Sequence, residues 1–179
     1  GQWVKSAVGR LRVIGAVRVA AVVGFPLGAS GTRTKVSETH AVVDQGADEI
    51  DMVVALGWVK AGEWTAVQEE IAAVVEAAAG RMVKVILETA ALSADEIERG
   101  AWAALEGGAR MVKSSTGFHP AGGATVEAVQ RMRRVVGDRA GVKASGGVRS
   151  VEDARRMLLA GADRIGSSSA ASWGEALHR

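Results

Sequence analysis

Gly46-Ala47-Asp48, standing between a helix-periodic segment and a β-branched run that begins at Glu49, returns as Gly108-Ala109-Arg110 and again as Gly161-Ala162-Asp163. A glycine at that point ends a helix in the left-handed conformation, and a small alanine fits the tight turn into the next strand. One copy is ordinary turn chemistry. Three copies, separated by whole pairs of βα units, predict a cyclic βα array of the TIM (β/α)8-barrel type rather than an open doubly wound sheet. Working outward, short β-branched runs alternate with longer Ala-rich segments of helical period. These predict strands at 17–23, 49–54, 83–89, 111–115, 141–145 and 164–167, and helices at 34–45, 64–79, 94–106, 125–136 and 151–160. Ser93 with Glu96 and Ser150 with Asp153 have the spacing of capping boxes, and residues 3–11 form an amphipathic segment. Six strands are predicted where a complete barrel has eight. The expectation is therefore a single barrel domain over residues 1–179, N-terminally incomplete, with about six of eight βα units present.

The 179 residues, 48% of them apolar, suffice to bury one sizeable core. Twenty-two basic and 20 acidic residues are scattered along the chain, and the one tight basic cluster, Arg131, Arg133 and Arg134, is read as a solvated helix face, not a nucleic-acid site. There is no cysteine, and His40, His119 and His178 are the only imidazoles, so neither a disulfide framework nor a metal site is expected. No apolar run approaches the length of a membrane span, which makes a soluble, cytoplasmic protein the default expectation. Gly24-Phe25-Pro26-Leu27-Gly28 after the first strand lacks dinucleotide-fingerprint spacing. No dinucleotide cofactor is expected.

Three predicted strands carry a lysine: Lys84, Lys113 and Lys143. An ammonium buried without a partner costs several kcal/mol, so lysines in strands ask for an explanation. Two readings stand for Lys84: it snorkels outward with Glu88 as ion partner, or it has a functional role. Lys113 and Lys143 lie near the C-terminal ends of consecutive strands, where barrel enzymes keep their active sites. Two ammonium groups about 5 Å apart repel by roughly 3 kcal/mol at an effective dielectric of about 20. One of the pair should then titrate well below the ordinary lysine value and act as a nucleophile toward carbonyls, forming an imine. Asp51, in a strand otherwise fit for burial, is read as the acid-base carboxylate between them. Finally, Ser145-Gly146-Gly147-Val148-Arg149-Ser150 and Gly166-Ser167-Ser168-Ser169 follow the last two strands. Glycines that let amides approach an anion, serine donors and helix starts make this a predicted phosphate site.

Read in order, residues 22–28, 46–53, 84–89, 112–118, 142–149 and 164–169 resemble the deoxyribose-phosphate aldolase family, over about Trp3 to Ala170. The resemblance implies reversible cleavage of 2-deoxy-D-ribose 5-phosphate to D-glyceraldehyde 3-phosphate and acetaldehyde, with no metal or organic cofactor. It puts Lys113 at the Schiff-base position, Lys143 as the second lysine that lowers its pKa, and Asp51 as the proton-moving carboxylate. Thr116 and Gly117 would line the substrate, Gly166 would bind it too, and Gly146, Gly147, Arg149, Ser168 and Ser169 would hold its phosphate. The implied partners are a small phosphorylated sugar and acetaldehyde, with no nucleic acid or membrane; a homo-oligomer is compatible with the sequence. The family's first strand, with its Ile-Asp-His-Thr-type motif, and its second strand have no counterpart before Trp3, and the chain has no Tyr. Alternatives from the residues alone are another Schiff-base phospho-sugar aldolase or a transaldolase, and an inactive barrel fragment serving as an assembly module.

Overall fold

The computed structural model describes residues 1–15 and 17–173; His178 lies outside them. In chain order the elements are α1 (Val4–Leu11), β1 (Ala20–Val23), α2 (Thr32–Asp44), β2 (Glu49–Val53), α3 (Leu56–Ala61), α4 (Trp64–Ala77), β3 (Met82–Ile86), α5 (Ala94–Glu106), β4 (Met111–Lys113), α6 (Val126–Val136), β5 (Gly141–Ser145), α7 (Val151–Leu159) and β6 (Arg164–Gly166). The six strands form one parallel sheet in the order β1-β2-β3-β4-β5-β6, as the alternating pattern predicts. Several strands are shorter than predicted, chiefly because the chain leaves the ladder early at the C-terminal ends. The short helix α3 was not anticipated.

The recurrent Gly-Ala turn builds the same device three times. Gly46, Gly108 and Gly161 all have positive φ, at 94°, 85° and 108°. The following alanine amides reach back to Val42, Ala104 and Met157, closing a Schellman cap. The next residue's amide, from Asp48, Arg110 and Asp163, then donates to Val19, Val83 and Val142 of the neighbouring strand segment. Helix termination and strand registration are thus accomplished in three residues. Both predicted capping boxes are present, on α5 and α7.

One side of the sheet, carrying Ile50, Met52, Val83, Val85, Val112, Val142 and Ala144, packs with the helices into the main hydrophobic core. The other side carries charge. Glu49 and Asp51 of β2 alternate with those core residues, and so do Lys84, Lys113, Lys143 and Arg164 on the later strands. Arg164 Nη1 on β6 donates to Glu49 Oε2 on β2 at 2.7 Å. In a flat sheet four strand spacings would separate these strands by roughly 19 Å. The sheet is therefore curled into a barrel wall whose concave side faces this polar interior.

Candidate active site

The centre of the interior is Asp51. Its Oδ2 accepts from Lys113 Nζ at 2.9 Å and from Lys143 Nζ at 3.1 Å, while its Oδ1 accepts from Lys84 Nζ at 2.5 Å. Strand register explains the convergence: Asp51 pairs with Lys84 across β2 and β3, and Lys113 with Lys143 across β4 and β5. Curling then brings the two pairs face to face. Asp51 is 3% exposed. Burial pushes its carboxyl up, but Lys113, Lys143 and Lys84 more than offset this and hold it well below the usual carboxylate range.

Lys84 resolves against the snorkelling reading. It is fully buried, it lies 2.6 Å from Glu49 Oε2 as well as bonding Asp51, and it does not meet Glu88. Glu49 in turn binds Arg164, so β2 supplies both carboxylates of the interior network. Glu49 was missed because acidic residues at strand starts are commonplace.

Lys113 and Lys143 open onto a cavity of about 460 Å³ whose lining also includes Thr116, Gly117, Gly146, Gly147, Arg149, Gly166 and Ser168. The sequence-predicted substrate residues are thus brought together on one wall. Ser169 is the exception: it is not part of the lining, and its amide turns back to Ser167 Oγ at 3.0 Å. Gly117, Gly146 and Gly147 all adopt positive φ. Gly123 allows a close approach to this loop, since a β-carbon there would stand 2.2 Å from the Gly146 carbonyl oxygen. The start of α7, capped by Ser150, follows this loop and adds its positive dipole end.

Burial drives the Lys143 ammonium below the ordinary lysine value; Asp51 opposes the change, and Lys113 adds to it. A lysine whose proton is loosened, bonded to the same carboxylate oxygen as a second lysine, is suited to acid-base work. The Ser114 hydroxyl is taken up within the sheet. Its Oγ donates to the Ser145 carbonyl and accepts from the Ser145 amide, tying β4 to β5. Among the described residues no cluster of three or more metal-ligating side chains is present.

The model of the DeoC/LacD family aldolases matches residues 4–174. The chain belongs to this family. Its relatives include the deoxyribose-phosphate aldolases of Thermotoga maritima, 54% identical over 86% of this chain and 61% of that protein, and of Exiguobacterium sp., 49% identical over 93% of this chain and 75% of that protein. The chain thus spans about three fifths of the length of the Thermotoga relatives it matches. Among solved structures, a putative deoxyribose-phosphate aldolase from Coccidioides immitis superposes with a TM-score of 0.95 at 40% identity, covering 99% of this chain and 71% of that one. The tetrameric deoxyribose phosphate aldolase of Aeropyrum pernix gives 0.89 at 34%, covering 99% and 74%. The DeoC/LacD membership accords with the barrel-type architecture read from the Gly-Ala turns. No helix among the described residues is long and apolar enough to cross a membrane.

Proposed function

We propose that this chain carries the lysine Schiff-base centre of a deoxyribose-phosphate aldolase, with Lys113 as nucleophile, Lys143 as its acid-base partner and Asp51 as the carboxylate that passes protons between them. The observation that carries the reading is the single oxygen, Asp51 Oδ2, shared by both Nζ atoms beside a cavity bordered by the Gly146-Gly147 loop. Lys113 is preferred to Lys84 as nucleophile because Lys84 is completely buried whereas Lys113 borders the cavity. Lys143, on the strand that runs directly into the anion loop, serves as the acid and base.

In this mechanism the Lys113 amine, once its proton has passed to Asp51, adds to the C1 aldehyde of open-chain 2-deoxy-D-ribose 5-phosphate. A proton delivered from Lys143 lets the carbinolamine lose water. The C2–C3 bond then breaks as Lys143 takes the C3 hydroxyl proton, the oxygen pair forms the new carbonyl, and the electron pair of the broken bond enters the iminium to form an enamine. D-Glyceraldehyde 3-phosphate leaves. Protonation at C2 and hydrolysis release acetaldehyde and restore the amine. The phosphate is held by the Gly146 and Gly147 amides, the Arg149 guanidinium and Ser168.

Borohydride reduction in the presence of acetaldehyde, followed by peptide mass mapping, is expected to leave an ethyl group on Lys113. Label centred on Lys143, or undiminished in Lys113→Ala, would overturn the assignment.

A further inference from the structure

Glu88 lies just beyond β3 with φ 58° and ψ 56°, in the left-handed region that an L residue other than glycine seldom occupies. It is 1% exposed. Among the described residues it makes no ion pair, and its carboxylate meets one residue only, Thr116. Thr116 N–H donates to both carboxylate oxygens, at 3.3 and 3.2 Å, and Thr116 Oγ1 donates to Oε2 at 2.5 Å. A buried carboxylate without a cation, on a costly backbone conformation, persists where the surroundings over-determine it, and such positions cluster at functional sites.

The consequence for Thr116 is a fixed polarity. A threonine hydroxyl has one proton and two acceptor lone pairs. The proton is committed to Glu88. One lone pair takes the Phe118 amide at 3.1 Å. The remaining acceptor position belongs to a residue that lines the cavity beside Lys113. A group that reaches Thr116 Oγ1 from the cavity therefore meets an acceptor and not a donor.

We propose that Glu88 is a positioning residue that locks Thr116 as a hydrogen-bond acceptor, so that the site selects an acceptor aldehyde bearing a hydroxyl next to its carbonyl. The inference rests on the aldolase reading above. A hydroxyl can donate to Thr116; an analogue with only hydrogen at that carbon leaves the lone pair unanswered, and sites built on such a bond discriminate against the missing group.

The test is condensation of acetaldehyde with D-glyceraldehyde 3-phosphate and, in parallel, with 3-phosphopropanal, which lacks the hydroxyl. The ratio of the two kcat/KM values is the readout. The unmodified protein is expected to prefer the hydroxylated aldehyde by about tenfold or more, the scale of one hydrogen bond formed only in the matched complex. In Glu88→Ala the Thr116 hydroxyl is released to rotate, and the ratio should fall towards one. Glu88→Gln, whose amide oxygen can occupy the Oε2 position and accept from both Thr116 groups, should retain most of it. Thr116→Val, which keeps Glu88, should lose it. Equal losses with both aldehydes in Glu88→Ala would reduce Glu88 to a structural role, and a preference surviving in Thr116→Val would also overturn the proposal. Condensation of neither aldehyde by the unmodified protein would instead sink the aldolase reading itself.

Discussion

Replacing Lys84 with methionine tests whether the interior network carries stability as well as chemistry. The substitution keeps the volume of the side chain roughly constant but removes the ammonium that bridges Asp51 Oδ1 at 2.5 Å and Glu49 Oε2 at 2.6 Å. Each carboxylate keeps other cations, Lys113 and Lys143 for Asp51 and Arg164 for Glu49, so neither is wholly stranded. Losing a hydrogen bond to a charged group that keeps other partners costs about 1.5 to 3 kcal/mol, less than stranding a buried charge outright. For a chain of this size that corresponds to a fall in Tm of about 3 to 12 °C. The pH dependence has a definite sign. The Asp51 carboxyl is held below its unfolded value, so it contributes stability that is present above about pH 4 and is lost as pH falls through its lower folded value. Without Lys84 that folded value rises, the contribution shrinks, and the acid-unfolding midpoint should move to higher pH. Calorimetric scans from about pH 2 to pH 8 read both effects. A Tm within about 2 °C of the unmodified protein, with an unchanged acid midpoint, would refute the idea that Lys84 is held by these two carboxylates.

Gly123→Ala should weaken phosphate binding by at least about tenfold, because the added methyl group meets the Gly146 backbone oxygen and displaces the anion loop; titration with inorganic phosphate monitored by heat release measures it, and unchanged affinity would mean that this loop does not hold the anion. Ser93→Ala removes the Oγ that caps Glu96 N at the start of α5 and should cost about 1 kcal/mol, read as a shift in the urea midpoint at constant slope.

The strand order and the Asp51, Lys113 and Lys143 constellation were legible because each rests on local rules. Alternation sets which residues point inward, the Gly-Ala turns set where each strand begins, and burial of unpaired ammonium groups demands a carboxylate. What escaped depends on where the chain leaves those rules. Glu88 stands at an even spacing from Lys84, which in a continued strand would put both on one face. The ladder instead ends at Ile86 and the backbone turns left-handed at Glu88, sending its carboxylate to Thr116. Lys35 was likewise unreadable. It sits in α2 among exposed positions, and only the packing of α4 buries it against Glu70 Oε2 at 2.7 Å and the Val53 carbonyl at 2.9 Å. Neither contact leaves a mark on local periodicity. Helix α3 is too short, and too interrupted by Gly57, to show a helical repeat.

The placement of both interior acids on β2 bears on folding fidelity. Four cations, Lys84, Lys113, Lys143 and Arg164, look to this one strand for their counter-charge. A slip of β2 by a single residue would turn Ile50 and Met52 inward and Glu49 and Asp51 out among the helices. Such a slip would cost twice, by burying carboxylates in an apolar layer and by leaving a cluster of ammonium and guanidinium groups with nothing to neutralise it. Misaligned intermediates would be expelled by charge as well as by lost apolar contact, so the residues that equip the barrel for chemistry also proofread its assembly.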